Sequence, residues 1–532
     1  MMFERWPEHS RRIATPLVKV AAIVLIGLVY FLGISSERTG FVRDVIDPGF
    51  RKLSDPVLNA FRDKPPPVAS IALELDSASY DSLLVLQKLA LQQGRVQHDG
   101  NTLFAATVRS GDRSVPMVVG LREGLVLPVR SKHWPLHIRT LPGDTVLGMQ
   151  TFDLVPVLDD TPLWSFLLHA VLREQGNVTF GQALAEVQMN GKGIGLYMLQ
   201  GRPDDTAIAR WAHGSGPVLR FDDDMLRDAR EAMSARAFPS TPPPQGDWMA
   251  APLLLHSSGG ARNSRRAQKA VRRMEAFRSG DLSASFVFDV PHTARLLAMC
   301  DLLGTQEAMD WWNVRFLVDS ITEQFIPIPL HITRHAPIAN IQAEGSSEAS
   351  AIRTSGGELA ARLLADTTLY AQYIAYLDTF SESGWWEATK ERTKLVWEPA
   401  RKAVNAEYPR IDLDMTIITH DRTVILQSLE PTNLVLAYMR DAEKQPDGIA
   451  LANVHSLPVE VVAVVMNDGD TIPLPAGLQL IPRKKDRPLH YIVLPLAVLH
   501  ERGTPKAVLV RLAPSLPIRS VPIRSWSTFG AN

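Results

Sequence analysis

Residues 286–335, FVFDVPHTARLLAMCDLLGTQEAMDWWNVRFLVDSITEQFIPIPLHITRH, contain the two patterns that decide the predicted fold. Between Ala294 and Leu302, apolar residues recur at three- and four-residue spacing, which predicts a helix with one apolar face. Two apolar runs, 314–318 and 325–328, lie on either side of a polar turn and predict a β-hairpin. The polar residues at the junctions of these elements are Glu307, Asp310, Asn313 and His331. We take them as candidate site residues, and the alternative is that they are surface groups at a helix end.

Length and composition describe a large globular chain without a strong charge. The chain has 532 residues, of which 45% are hydrophobic, and this is ample for sizeable cores. Lys and Arg number 56 against 57 Asp and Glu, so the whole chain offers no electrostatic basis for binding nucleic acid. The single cysteine, Cys300, cannot form an intramolecular disulfide, and we expect it to be a small buried hydrophobe.

An uncharged apolar run lies near the N-terminus at Val20–Ser36 (VAAIVLIGLVYFLGISS). Extended to residue 16 it is long enough to span a bilayer, and the Lys19 amine can extend to the interface. The sequence therefore predicts a short tail at residues 1–15 and a single transmembrane anchor at residues 16–36.

A cleaved signal peptide is the alternative to this anchor, because Gly33 and Ser35 are small residues of the kind that precede a cleavage site. The length of the apolar run and the lack of an A-x-A pattern after it favour an uncleaved anchor. Basic residues lie slightly closer to the run on its N-terminal side. The positive-inside rule then predicts a single-pass membrane protein with its large domain outside the cytoplasm.

The remaining chain divides into a linker and two domains. Residues 37–67 end in three consecutive prolines and predict a juxtamembrane linker. Residues 68–406 mix strand and helix patterns, which is typical of an α+β domain. Residues 407–532 contain short β-rich runs broken by turns and predict a small, sandwich-like all-β domain.

Three local patterns within these domains are specific enough to test. Asn190-Gly191 lies between two alternating runs and predicts a tight hairpin turn. Residues 358–379 predict one continuous helix. Residues 416–419, Thr-Ile-Ile-Thr, predict the first strand of the C-terminal domain.

The stretch Arg262–Arg278 is strongly basic: it contains seven Lys or Arg residues and one acidic residue, Glu275. One interpretation is a solvated helix, and the other is a binding surface for an anionic partner, either a protein or a polyanion. Elsewhere the sequence contains no H-E-x-x-H, G-x-S-x-G or C-x-x-C pattern, so the hydrolase, zinc and redox sites with these signatures are excluded.

A series of short landmarks occurs along the chain in a fixed order. They are Leu121-Arg122 with Trp134, Gly148–Leu154 (GMQTFDL), Asn190-Gly191 with Gly195–Leu199 (GLYML), Asp301–Gly304, Asn313–Phe316 and Phe325–Ile328. Together they resemble the CotH kinase family of exported proteins, which have an atypical kinase-like fold. The resemblance implies ATP as cofactor, Mg²⁺ or Mn²⁺ as metal, and phosphorylation of exported proteins.

The expected fold class is therefore α+β, with an atypical kinase-like domain behind one N-terminal transmembrane helix and a small sandwich-like all-β domain after it. By resemblance, Asn313 is the metal ligand, and Asp310 and Glu307 are the nearby carboxylates for catalysis. The residues expected at the nucleotide are Arg122, Gln200 and His331.

The chain departs from the family pattern at the positions that need charge. Ala308 and His331 fall where the family has Asp, and Gln200 falls where it has Glu. Cations expected at two further positions are replaced by His137 and, nearby, by Asp160. Loss of a catalytic base alone commonly costs about 10²–10⁴-fold in rate.

These departures predict a catalytically impaired pseudokinase or scaffold of the cell envelope that binds a partner. The alternative is an active, divergent phosphotransferase that uses Asp310, Asn313 and Glu307 in relocated roles. A third interpretation is an envelope protein unrelated to the family.

Overall fold

The computed structural model describes residues 67–93, 102–111, 113–122, 134–202, 216–226, 247–256, 265–330, 332, 335–344, 356–442, 445–474, 478–484, 487–496 and 504–525. The predicted tail and anchor and nearly all of the predicted linker lie outside these residues. Within the described ranges, no helix is long and apolar enough to cross a membrane. Two compact units are distinguished: Pro67–Ala403 with Asp412–Asn532, and Met1–Pro66 with Val404–Ile411. The elements described below belong to the first unit, except for the C-terminal end of one helix.

The first seven strands close into a barrel in the order β1-β2-β3-β4-β5-β7-β6. They are β1 (Ala69–Glu74), β2 (Phe104–Ser110), β3 (Arg113–Leu121), β4 (Leu136–Thr140), β5 (Thr151–Pro156), β6 (Gln182–Met189) and β7 (Lys192–Gly201). Helix α1 (Ser77–Gln93) follows β1. Neighbouring strands are antiparallel except β1 and β6, whose parallel pairing closes the barrel. Alternate side chains such as Ile71, Val119 and Phe152 fill the interior.

The hairpin between β6 and β7 turns at Asn190-Gly191, which confirms the prediction. Both residues have left-handed backbones, with φ of 49° and 77°, and this is the conformation that a two-residue hairpin requires. Asn190 also joins the turn to β1: its N–H donates to the carbonyl of Leu73, and its Oδ1 accepts from the N–H of Leu75, both at 2.8 Å. The turn residue therefore stabilises the parallel seam that closes the barrel.

The segment that decides the predicted fold forms a helix and a hairpin, as expected. Helix α5 (Val290–Leu302) begins after Asp289, whose side chain accepts from the N–H of His292 at 3.0 Å. The hairpin strands are β10 (Val314–Val318) and β11 (Phe325–Pro329). They join β8 (Val218–Phe221) and β9 (Leu253–His256) in a sheet of order β11-β10-β8-β9.

An aromatic cluster forms the core beside this sheet. It contains Phe221, Phe277, Phe288, Phe316 and Phe325, with neighbouring ring centroids 4.9–6.2 Å apart. The helices around it include α3 (Arg265–Ser279) and α4 (Ala284–Val287), while α2 (Thr161–Glu174) lies between β5 and β6 in sequence. Aromatic pairs at such distances add stability beyond their buried area, at about 0.5–1.5 kcal/mol each.

Four further helices are α6 (Gly356–Leu364), α7 (Thr367–Ser381), α8 (Trp385–Glu407) and α9 (Thr416–Leu429). Two of them correct the sequence predictions. The single helix expected at 358–379 is interrupted at Asp366, whose side chain accepts from the N–H groups of Thr368 and Leu369 and so begins α7. The strand expected at 416–419 is instead the first turn of α9, because Asp414 accepts from the Thr416 N–H at 3.0 Å and the following apolar residues have helical spacing.

The C-terminal strands form two sheets. Their bounds are β12 (Val435–Ala442), β13 (Gln445–Asn453), β14 (Val459–Met466), β15 (Thr471–Pro473), β16 (Gln479–Leu480), β17 (Tyr491–Pro495), β18 (Pro505–Arg511), β19 (Arg519–Pro522) and β20 (Arg524–Ser525). One sheet has the order β17-β13-β12-β20, and the other has β15-β14-β18-β19 with β16 paired to β14. Contacts of β12 with β18 and β19 show that the two sheets pack together.

The fold class expected from the sequence is wrong. The residues assigned to a kinase-like domain contain a closed seven-stranded barrel, which that fold class does not include. No helix in the described part of the chain corresponds to the expected transmembrane segment, and residues 16–36 themselves lie outside that part. The physical reason for the first error is that each strand pattern is local, whereas closure depends on the parallel register between β1 and β6, which strand patterns do not encode.

Candidate functional site

Asp153 lies at the centre of a group of charged side chains on the outer side of the barrel. The residues flanking His137 and Asp153 in β4 and β5 point into the barrel core, so these two side chains point outward. The strand register places Asp153 between His137 and Gln200, which face the same side. Arg122 and Arg202 come directly after β3 and β7 and reach the same point.

Three basic side chains surround the Asp153 carboxylate. Arg202 Nε lies 2.9 Å from both carboxylate oxygens, and His137 Nδ1 lies 2.9 Å from Oδ1. Arg122 Nε is 3.1 Å from Oδ2, but its N–H makes no aligned hydrogen bond there, so Arg122 interacts mainly through its charge. The Asp153 side chain is only 2% exposed and that of Arg122 only 9%.

Burial and charge act on the Asp153 carboxyl in opposite directions. Burial by itself raises the pKa of a carboxyl group, because it disfavours the charged form. Here the charges of Arg202 and Arg122 and the hydrogen bond from His137 outweigh burial, and they hold the pKa of Asp153 well below its usual range. Burial also lowers the pKa of Arg122, and the neighbouring Asp153 opposes that shift. The group is therefore a compensated buried cluster with Asp153 ionised.

A chain of hydrogen bonds connects the outer side of the barrel to Asn313. The Gln200 side-chain amide donates to the carbonyl of Leu330, the residue after β11. The Leu330 N–H donates to the carbonyl of Asn313 at 3.3 Å. Gln200 is 2% exposed and Asn313 is fully buried. These contacts hold the barrel against the end of the β10–β11 hairpin.

Glu307 and Asp310 lie beside Asn313, as the sequence predicts, and the main-chain carbonyl of each accepts a hydrogen bond from Asn313. The Asn313 N–H donates to the Asp310 carbonyl at 2.8 Å, and its Nδ2 donates to the Glu307 carbonyl at 3.3 Å. Asp310 follows a 3₁₀ helix, Gln306–Met309, and is only 3% exposed. The local geometry is therefore a buried turn that fixes the start of β10.

A second polar pair lies at the start of α2. His335 Nε2 is 3.1 Å from Asp160 Oδ2, and the His335 ring stacks on Trp164 with centroids 4.7 Å apart. Asp160 immediately precedes α2 and lies near a position where the resemblance implies a cation. The pair instead joins α2 to the segment after β11.

The residues present do not fit a bound magnesium–nucleotide complex. Mg²⁺ prefers several hard oxygen ligands in octahedral geometry. In the described ranges, the group of acidic or histidine side chains close enough to share an ion is Asp222, Asp223 and Asp224 after β8, and it includes neither Glu307 nor Asp310. Arg122, the cation expected at the phosphates, is paired with Asp153.

The structure thus separates the predicted site residues into two neighbouring groups. Arg122 and Gln200 belong to the outer side of the barrel, and Glu307, Asp310 and Asn313 form the turn before β10. His331 lies outside the described residues. Sequence reasoning missed Asp153 and Arg202 as members of the cluster. The sequence offered one signal for each residue: Asp153 is an acid in the otherwise apolar strand β5, and Arg202 is a cation directly after β7, the strand that pairs with β5.

The basic stretch forms helix α3, but its cations have different surroundings. Arg278 is buried, pairs with Glu275 at 2.9 Å and donates to the carbonyl of Trp248 at 2.8 Å. Arg273 donates to the carbonyls of Glu323 and Phe286 at 3.0 and 2.6 Å. The exposed cations are Arg265, Arg266, Lys269 and Arg272, while Arg262 lies outside the described residues. Only part of the basic stretch is therefore available as a binding surface.

No family model matches the chain, and no curated protein matches it. The resemblance to CotH kinases therefore stays a prediction.

Proposed function

We propose that the chain is a non-catalytic binding protein of the cell envelope. In this proposal, the residues that resemble a phosphotransfer site stabilise the protein internally. The observation that supports it is the Asp153 cluster: the cation expected to bind phosphate, Arg122, is buried against a carboxylate with a lowered pKa. A phosphate group that bound Arg122 would have to break its ion pair with Asp153 inside a buried cluster, and breaking a buried pair costs free energy.

The surroundings of Asn313 support the same conclusion. Phosphoryl transfer depends on positioned metal ions and a base near the acceptor hydroxyl. Asn313 is fully buried and its amide N–H group donates to Glu307, while the position expected for the base is Ala308, which is also fully buried. An alanine side chain cannot accept a proton.

The envelope location is part of the proposal and rests on the sequence. The uncharged run at Val20–Ser36 and the placement of basic residues beside it favour attachment to a membrane, with the large domain outside the cytoplasm. Separation of cell membranes from soluble fractions tests the membrane attachment. The chain should stay with the membranes after a high-salt wash. Release by salt alone would contradict an apolar anchor.

Label transfer from γ-labelled ATP tests the absence of catalysis. The full chain would be incubated with Mg²⁺ or Mn²⁺, alone and with exported proteins as acceptors. Asn313→Ala removes the candidate metal ligand, and Asn467→Ala, at an exposed turn, is the matched control. We expect no label above background for any of the three proteins. Transfer that is lost only in Asn313→Ala would instead establish the divergent phosphotransferase.

A further inference from the structure

Helix α3 has one buried face and one cationic face. Ala267, Ala270, Met274 and Phe277 are buried, and the Phe277 ring packs on Phe288 of the aromatic cluster. Arg265, Arg266, Lys269 and Arg272 are exposed. At about 100° per residue, these four cations lie within roughly one third of the helix circumference, on a different side from the buried residues. We call them the cationic face.

Two exposed apolar side chains lie next to this face. Phe286 is 56% exposed and Ile321 is 68% exposed. Arg273 connects Phe286 and the turn at Glu323 to the helix: its guanidinium donates to the carbonyls of Phe286 and Glu323 and lies 4.6 Å from the centre of the Phe286 ring. Ile321 lies two residues before Glu323 in this turn. Phe286 and the turn that carries Ile321 therefore both lie beside helix α3.

Glu323, on the turn between β10 and β11, is an acid that faces these cations. It pairs with Lys269, and its pKa is lowered by that hydrogen bond and by the charges of Lys269, Arg273 and Arg266. Its backbone is left-handed, with φ of 58°, a conformation uncommon for a residue with a side chain. Among the described residues, four exposed cations lie against Glu323 on the neighbouring turn and Glu275, which pairs with Arg278, on the helix itself, so this surface is positive although the net charge of the whole chain is −1.

We propose that this surface docks on the anionic head groups of a lipid bilayer. Arg and Lys side chains bind lipid phosphates, while an aromatic and an aliphatic side chain enter the interface between head groups and acyl chains. A soluble polyanion would satisfy the cations but would give no reason for Phe286 and Ile321 to be exposed beside them. The inference specifies the partner class for the binding role proposed above and rests on that role.

The size of the effect follows from the number of cations. Each Lys or Arg near an anionic membrane strengthens binding several-fold, so four together should change the ratio of docked to undocked protein by roughly 10²–10³-fold. Salt should weaken docking, because the charges are exposed and screened within about 10 Å at 0.1 M ionic strength.

A fluorescent label at Ile321 tests docking in the full chain. Ile321→Cys introduces one accessible thiol for a polarity-sensitive dye, since Cys300, the native cysteine, is fully buried. The labelled chain would be reconstituted in vesicles of phosphatidylcholine alone or mixed with phosphatidylglycerol. Dye emission and protection from an aqueous quencher report contact with lipid. Ile518→Cys, also an exposed isoleucine at 50% exposure, provides the control label position.

Two variants, each with four substitutions, distinguish the effect of this surface from the effect of the overall charge of the protein. The test variant replaces Arg265, Arg266, Lys269 and Arg272 with Gln. The control variant makes the same change of charge at four other exposed cations: Lys394, Lys402, Arg483 and Lys484. Arg273 and Arg278 stay unchanged in both, because they stabilise the fold.

We expect the Ile321 label to shift to the blue and become protected on phosphatidylglycerol vesicles, but not on phosphatidylcholine. The test variant and high salt should abolish the shift, and the control variant should keep it. A wild-type label that stays in water, or a shift that survives in the test variant, would overturn the proposal. Binding of soluble polyphosphate without a shift on vesicles would assign the surface to a soluble polyanion instead. ATP label transfer is measured separately, so failure of docking and failure of the non-catalytic proposal are distinguishable.

Discussion

Replacing Asp153 with Asn should destabilise the protein strongly. The Asn side chain keeps the size of the acid but removes the negative charge that faces Arg122 and Arg202 and that accepts the hydrogen bond of His137. The side chains of these bases are 9%, 16% and 18% exposed, so water cannot replace the lost charge fully. Removing one partner of a buried ion pair commonly costs about 3–5 kcal/mol, and we expect a loss of this size in the free energy of unfolding.

The loss can be measured by chemical denaturation of the full chain in mild detergent, with hydrogen exchange to show where it acts. Peptides from β4 and β5 should exchange faster in Asp153→Asn. The control is Asp81→Asn, at an exposed position of α1, which should change the free energy of unfolding by no more than about 0.5 kcal/mol.

The effect should also depend on pH in a defined direction. Because the pKa of Asp153 is lower in the folded protein, its contribution to stability is present above the unfolded pKa of 3.8 and is lost as pH falls below it. The difference between wild type and Asp153→Asn should therefore shrink below about pH 4. A loss under about 1 kcal/mol at neutral pH would show that Asp153 does not compensate buried charge.

Two further predictions concern other buried or strained positions. Asp301 is fully buried and accepts hydrogen bonds from Gln306 and Tyr373, and burial raises its pKa to about 7 from 3.8. Since the folded pKa is the higher one, wild-type stability should fall as pH rises between these values, and the stability of Asp301→Asn relative to wild type should rise by up to ~4 kcal/mol between about pH 4 and pH 8; thermal unfolding in which this difference does not rise with pH would contradict the prediction. Gly191 has φ of +77° with nothing within 4 Å of an added Cβ, so Gly191→Ala should cost about 1–2 kcal/mol in chemical denaturation. Gly193→Ala is equally open but lies outside the left-handed region, and equal costs for the two variants would exclude backbone strain as the cause.

The hairpin at Asn190-Gly191 shows what the sequence could predict. The conformation of a two-residue turn depends on those residues alone, so the pattern determines it. The contacts of Asn190 with Leu73 and Leu75 could not be predicted, because they join residues more than a hundred positions apart. Closure of the barrel depends on those contacts and on the parallel β1–β6 pairing, so the predicted fold class failed there.

In the candidate site too, contacts between residues close in sequence could be predicted, and contacts between distant residues could not. Asn313, Asp310 and Glu307 are close in sequence, and their proximity followed from the predicted end of a helix and start of a strand. Asp153 and Arg202 are 49 positions apart and meet only through the pairing of β5 with β7. The strand predicted at 416–419 is wrong for a different reason: the helical pattern continues after these four β-branched residues, and the Asp414 side chain accepts from the Thr416 N–H where the helix begins.

We propose that the polar residues of this site stabilise the fold and do not transfer phosphate. The most direct test is the rate of label transfer from γ-labelled Mn·ATP to exported acceptor proteins. We predict a rate at background for the full wild-type chain and no difference from Asn313→Ala. A wild-type rate above background that falls by roughly 10²-fold or more in Asn313→Ala, with Asn467→Ala unchanged, would contradict the claim and place a metal ion at Asn313.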